Sequence, residues 1–218
     1  MYSVRMPYPS KTDRQTILSA AVRDLVHGGI RELSLRKIAA SLDLAPNAIY
    51  RYFSDRSALE DALANEAARQ LELALRKAAG GCEPVTAIRR MSSAYIEFAS
   101  HNCHLYEVMM SLHAPEHDAT FLQSLWAFTV EQVKRIAGPA RAAEASVALW
   151  AFLHGAVALE AARVLGERKP ASGIEFGLDA WLMAVSTCGQ PEALRIKLTK
   201  KKANKKVSAG ESSVRSRK

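Results

Sequence analysis

The sequence predicts an all-α protein of about nine helices, and three observations carry that expectation. Apolar residues make up 49% of the 218 positions, with Ala and Leu dominant. They recur at i, i+3, i+4, i+7 along most of the chain. Gly and Pro fall mostly between these periodic segments, and no alternating run demands a strand.

The first helix is expected from Thr12, where T-x-x-Q (Thr12, Gln15) forms a capping-box pattern and Leu18, Ala21, Val22 and Leu25 share one face. Gly28 and Gly29 should end it. Ser34 is placed to cap a second helix of about two turns, with Leu35, Ile38, Ala39 and Leu42 inward and Arg36, Lys37 and Ser41 outside. After the break Asp43-Leu44-Ala45, Pro46 suits the first turn of a third helix, because it lacks an N–H and its φ is preset. Ile49 and Phe53 then face inward, and Asn47, Tyr50 and Arg51 share the outer face. Ser54 should cap a longer fourth helix with Asp55 in its first turn, interrupted at Gly80, Gly81 and Pro84. Further helical patterns span 85–100, 105–112, 119–136, 141–165 and 174–188.

No apolar run approaches the roughly 20 residues that span a bilayer, and the first ten residues lack an apolar signal core, so a cytoplasmic location is expected. Cys82, Cys103 and Cys188 are odd in number and far apart, which fits a reducing compartment. The net charge of +8 divides unevenly. Residues 1–56 carry +4, residues 57–194 carry −5 and residues 195–218 carry +9. A basic head on an acidic body suggests that the head meets a polyanion. The boundaries that follow are a flexible basic arm (1–11), a head (12–56), a helical body (57–194) and a basic tail (195–218). The tail is almost without apolar side chains after Leu198 and is expected to be disordered. It reads as a DNA-holding arm or as a solvated extension, and Arg5, Lys11 and Arg14 could similarly follow a nucleic-acid backbone or enter the minor groove beside the recognition helix.

Two short helices joined by a tight turn and braced by a third describe a helix-turn-helix, whose second short helix fits the major groove of duplex DNA. A helical hairpin in an ordinary bundle is the alternative. On the first reading Asn47 reaches base edges, Arg51 reaches a base or phosphate, and Tyr50 and Tyr52 bond phosphates, while Arg36, Lys37 and Arg56 add charge along the backbone.

Residues 12–59 resemble the N-terminal domain of the TetR (tetracycline-repressor-like) family of bacterial transcriptional regulators. The resembling residues are ILSAA (17–21), Leu25, Gly29, LSLRKIA (33–39), Leu42, Leu44 and AIYRYFSDRSAL (48–59). The resemblance implies that Ser34, Tyr50, Tyr52 and Arg56 contact phosphates and that the early residues of the third helix, Pro46 and Asn47 among them, meet the bases. Ala45 departs from the pattern, since family members often carry a capping Ser or Thr there. LWAFLHGAVALE (149–160) is similar to a W-x-x-x-H-G signature in one subgroup's C-terminal domain, and FGLDAWLMAV (176–185) to that subgroup's last helix. The fold class expected is therefore an N-terminal three-helix DNA-binding domain with a C-terminal helical ligand-binding and dimerisation domain.

The segment 141–165 is apolar nearly all round and must be covered on more than one side. Pairing with 174–188 across a two-fold axis would form a four-helix homodimer interface. Two recognition helices related by that axis would read an inverted-repeat operator. Between head and interface lie Tyr95, Phe98, Met109, Met110, Phe121, Leu125, Trp126, Thr129, Trp150 and His154, which could line a cavity for a small, largely apolar effector or form an ordinary core. Such an effector would release DNA. A backbone carbonyl would satisfy His154 as well as a ligand would.

His101, Cys103, His104, His113 and His117 cluster within one stretch and are suitable metal ligands, but their spacing matches no established zinc pattern, so no metal or other cofactor is expected. A metal-sensing regulator and a nonspecific nucleic-acid-binding protein remain the rival readings. No G-x-S-x-G, phosphate-binding glycine loop or H-E-x-x-H is present, so an enzyme is not expected.

Overall fold

A computed structural model describes residues 12–111, 120–164 and 171–188. Those residues form nine helices: α1 (Arg14–Glu32), α2 (Leu35–Ser41), α3 (Pro46–Ile49), α4 (Arg56–Ala79), α5 (Pro84–His101), α6 (Cys103–Met110), α7 (Thr120–Ala137), α8 (Ala142–Ala161) and α9 (Ala171–Cys188). The basic arm 1–11, the tail 195–218, His113 and His117 lie outside the described residues.

The helix ends differ from expectation in instructive ways. Asp13, not Thr12, caps α1, its carboxylate accepting from the Thr16 N–H at 2.7 Å. That hydrogen bond holds the Asp13 carboxyl below its ordinary value. Asp55, not Ser54, caps α4 by accepting from Ala58 N–H at 2.8 Å, and Ser54 donates to Asp55 instead. Both corrections have one cause: a carboxylate makes a charge-assisted bond to the orphan amides of the first turn, which a hydroxyl one residue away cannot match. Gly28 remains helical. The break comes at Gly29, whose φ of 69° and ψ of 179° lie in a region open essentially to glycine, and one more turn follows before Leu33.

The head packs α1, α2 and α3 around Ile17, Ala21, Leu25, Ile38, Ile49 and Phe53, all almost fully buried. Helix α4 runs from head to body and packs against α1, α5, α6 and α7. Helix α6 also touches α1, so head and body meet through two helices. In the body, α7 and α8 lie side by side, and α9 packs on both. Gly177 of α9 admits the Phe152 ring of α8 so closely that a β-carbon there would lie 2.3 Å from it. Trp181 donates to the Ala145 carbonyl at 3.1 Å, and Arg89 of α5 pairs with Asp179 of α9.

By length and composition α8 is apolar enough to cross a bilayer, contrary to the expectation that no run is. Its Ala-rich sequence carries only Glu144 and Glu160 as charges. One side, with Ala145, Leu149, Leu153 and Val157, is packed into the body. The other presents Val147 and Leu159, and α9 beside it presents Phe176 at 78% and Met183 at 71% exposure.

Candidate functional site

The turn between α2 and α3 is closed by Leu44 N–H on the Ala39 carbonyl at 2.9 Å. Asp43 takes a left-handed φ of 53°, which a short polar side chain tolerates. Helix α3 is a single turn. Ala45 offers no side-chain cap, only Pro46–Ile49 are helical, and a turn continues to Tyr52. So short a helix has little stability of its own; Ile49 and Phe53, at 0% and 1% exposure, anchor it to the head.

Pro46, Asn47, Tyr50 and Arg51 all face solvent, Tyr50 with 52% of its surface exposed. Arg36 and Lys37 are exposed on α2, and Ser34 is half-buried at its start, capping by position without a side-chain bond. Lys37 pairs with Glu32 at 2.9 Å, an exposed contact that raises the Lys37 pKa and lowers that of Glu32. Arg56, though exposed, is engaged by the protein itself: Nη2 donates to the Ile30 carbonyl and Nε to Glu60, both at 2.6 Å. Tyr52 donates its hydroxyl proton to the Thr12 carbonyl at 2.8 Å, pinning the start of α1. A phosphate oxygen would need that same proton, which in this structure is committed to the Thr12 carbonyl. Arg14 lies over the Phe53 ring at 4.7 Å.

The body holds a partly open cavity of about 330 Å³ between α4, α5, α7 and α8, reached also by Met109 of α6. Six of the ten expected residues line it: Tyr95, Met109, Leu125, Trp126, Thr129 and Trp150. Four do not. Phe98 lies a turn farther along α5, beside a shallow groove with Lys77, Arg89 and Arg90. Met110 packs half-buried on the core, and Phe121 is exposed. His154 stands behind the wall, where its Nδ1 lies 2.6 Å from the Tyr106 hydroxyl. Sequence reasoning missed Leu71 and Leu75 on α4, Met91 and Ser92 on α5, Leu122 and Gln123 on α7, and Leu149 and Leu153 on α8. One signal was available: Ser92 sits in phase with Ile88, Tyr95 and Ala99 on the buried face of α5.

The wall contains a run of hydrogen bonds. Trp150 Nε1–H donates to Tyr95 Oη at 3.0 Å, Tyr95 and Tyr106 share a 2.7 Å bond, and Tyr106 meets His154. Every hydroxyl proton is used if Tyr95 donates to Tyr106 and Tyr106 donates to Nδ1, so we assign His154 the Nε2–H tautomer. Burial, reinforced by the Tyr106 bond, pushes the Tyr95 phenol far above its ordinary range, and burial also raises Tyr106. Both remain protonated donors at neutral pH.

Among the described residues no group of three His, Cys, Asp or Glu side chains is placed to hold a metal. His101 bonds the Glu97 carbonyl, and the His104 ring lies against Gly29.

An exposed helix-turn-helix on a helical body with an apolar cavity is the arrangement of a DNA-binding transcriptional regulator with a ligand-binding domain. The family model described as "Bacterial regulatory proteins, tetR family" matches residues 17–63, and that of the "Tetracyclin repressor-like, C-terminal domain" matches residues 88–180. The chain belongs to the TetR family of bacterial regulatory proteins, whose members bind DNA and small-molecule effectors and form dimers. No curated protein matches it. Among solved structures, a protein of unknown function from Rhodococcus sp. RHA1 is 25% identical, with a TM-score of 0.71 over 84% of this chain and 100% of that one. The transcriptional regulator SCO7222, a TetR from Streptomyces coelicolor, is 18% identical, with a TM-score of 0.67 over 82% and 100%. A TetR variant from Acinetobacter baumannii AYE in complex with minocycline is 19% identical, with a TM-score of 0.62 over 83% and 99%. The last two likenesses are of fold. Neither the metal-sensing nor the coating reading is favoured by these matches.

Proposed function

We propose that the protein is a homodimeric cytoplasmic repressor that leaves an inverted-repeat operator when a small, largely apolar effector enters the cavity. Residues 12–56 act as the reading head and 57–194 as the effector-binding and dimerising body, with the basic segments 1–11 and 195–218 as additional phosphate contacts. In the head, Asn47 and Arg51 meet base edges, and Tyr50, Ser34, Arg36 and Lys37 meet the backbone. The exposed apolar strip of α8 and α9, which carries Val147, Leu159, Phe176 and Met183, supports a two-fold interface through these helices. Half-sites would then lie about 34 to 36 Å apart, or a multiple of that.

The observation that carries the effector reading is that one helix serves both ends. Leu71 and Leu75 of α4 line the cavity, and the same helix begins in the head, where Arg56 holds the Ile30 carbonyl. A ligand that shifts α4 therefore moves the head, and a differential affinity of about 1 to 3 kcal/mol between two dimer shapes suffices for release.

Selection of bound fragments from the host genome, followed by titration of apolar compounds into the protein–DNA complex, tests this. An inverted repeat that at least one compound releases is the expected result. Fragments without a shared sequence, or an operator complex indifferent to a broad panel of apolar compounds that do enter the cavity, would overturn the respective halves of the reading.

A further inference from the structure

The cavity wall contains a buried hydroxyl with nothing to bond. Ser92 is 2% exposed and lines the cavity, and its Oγ has no hydrogen-bond partner among the described residues. Of the other polar groups of the wall, Tyr95 is buried, Thr129 and Trp126 are half-buried and Trp150 is exposed; Thr129, Trp150 and Tyr95 are engaged. Thr129 donates to the Leu125 carbonyl at 2.9 Å, Trp150 donates to Tyr95, and the Tyr95 hydroxyl is shared with Tyr106. Gln123 is exposed. A buried hydroxyl left unbonded is unfavourable, and native proteins keep few of them.

The charge on the wall is equally restrictive. No Asp, Glu, Lys, Arg or His is among the described residues that line the cavity. Glu72 sits between Leu71 and Leu75 in sequence, but Arg76 holds its carboxylate at 2.6 Å and Ser124 donates to it at 3.0 Å. An ionised ligand group would be buried here without a counter-charge. The walls otherwise present Tyr95, Trp126 and Trp150, the two indoles with centroids 5.9 Å apart, together with the adaptable Met91 and Met109.

Resting on the effector reading above, we infer that the cavity selects an uncharged ring compound carrying one oxygen function, a phenol, alcohol or ketone, which hydrogen-bonds the Ser92 hydroxyl. Ser92 can donate to a carbonyl or accept from a hydroxyl, so the shared chemistry is a single neutral oxygen. A cavity of about 150 Å³ accommodates benzene, so the available volume matches a molecule of about two rings. Carboxylic acids, amines and phosphorylated compounds fall outside the class.

Equilibrium dialysis of the full chain at neutral pH against naphthalene, 2-naphthol and 2-naphthoate tests the inference. The expected order is 2-naphthol bound about five- to tenfold more tightly than naphthalene, with 2-naphthoate at least about a hundredfold weaker than 2-naphthol. Ser92→Ala should erase the advantage of 2-naphthol and leave naphthalene unchanged or slightly tighter. Leu122→Trp, at a half-buried position of the wall, should weaken both neutral probes and so place them in the cavity. Naphthalene binding without an advantage for 2-naphthol, an advantage that survives Ser92→Ala, or 2-naphthoate binding as well as 2-naphthol would overturn the Ser92 assignment and leave the apolar cavity standing. Failure of both neutral probes to bind, or binding indifferent to Leu122→Trp, would overturn the cavity reading with it.

Discussion

The imidazole of His104 lies against the α-carbon of Gly29, so that a β-carbon on the glycine would meet Cε1 at 3.1 Å and Nδ1 at 3.2 Å. Gly29 belongs to the head and His104 to α6, whose Tyr106 reaches the cavity wall. This is a close approach between the two parts of the molecule, at which a β-carbon would oblige the His104 ring to give by a few tenths of an ångström. Gly29→Ala should therefore lower unfolding stability by about 1 to 3 kcal/mol, chiefly through its backbone conformation. The same substitution in a His104→Ala background should recover only the part due to crowding. Urea unfolding of the four proteins of that cycle measures both. A neutral Gly29→Ala would mean that the break in α1 is not held at this φ.

Tyr50 and Tyr52 are two residues apart, yet their surroundings differ. Tyr50 is exposed, whereas the Tyr52 hydroxyl is committed to the Thr12 carbonyl. Tyr50→Phe should weaken operator binding on every sequence, with little effect on stability. Tyr52→Phe should cost about 0.5 to 1.5 kcal/mol of stability, the usual net value of one hydrogen bond, and leave affinity nearly unchanged. Binding assays at two salt concentrations decide between them, because a lost phosphate contact appears on all sequences. If Tyr52→Phe binds DNA as poorly as Tyr50→Phe, its hydroxyl leaves Thr12 for phosphate in the complex.

This pair also marks the limit of what the chain discloses by itself. Helix order, the head's buried face and the outward set Asn47, Tyr50 and Arg51 were legible because periodicity reports which side of a helix is wet. Whether a tyrosine on a wet edge bonds outward or back to residue 12 depends on a partner 40 positions away, which no local spacing encodes. The cavity shows the same division. Trp126 and Trp150 stood out by type, but Leu71 and Leu75 look like any core leucines until α7 and α8 fail to close over them. His154 stood out as a polar group in an apolar segment, and its partner proved to be Tyr106, a tyrosine on another helix.

Tyr106 joins three helices through one oxygen, bonding Tyr95 of α5 and His154 of α8 from its place on α6. Tyr106→Phe leaves the buried Tyr95 hydroxyl and the half-buried His154 ring short of a partner and should lower stability by about 1 to 3 kcal/mol. The pH dependence has a definite sign. Burial raises the folded-state pKa of both phenols above the unfolded value of about 10. The folded state therefore resists losing these protons while the unfolded chain releases them. Their contribution is fully present below about pH 10 and declines as pH rises beyond it. Tyr106→Phe should unfold less steeply with pH above that point than the parent. Equal slopes in thermal melts between pH 8 and 11 would show that the phenols are wetter than their burial implies.

Asn47 is the residue on which sequence discrimination should rest. It follows Pro46 in the first turn of α3, exposed, and a carboxamide offers a donor and an acceptor together, which matches the major-groove edge of adenine. On the proposed reading Lys37 and Arg36 lie on α2, the helix that crosses the backbone, and serve position rather than reading. Asn47→Ala should weaken the operator complex and, at one base pair in each half-site, reduce the penalty for a mismatch, normally about 1 to 3 kcal/mol. Affinity for unrelated duplex should change little, because that binding is carried by phosphates. The measurement is a set of operators substituted singly at every position, titrated against parent and variant at one salt concentration. A variant that loses affinity equally for every operator, with the mismatch penalties intact, would move Asn47 to the backbone and leave Arg51 as the base-reading side chain.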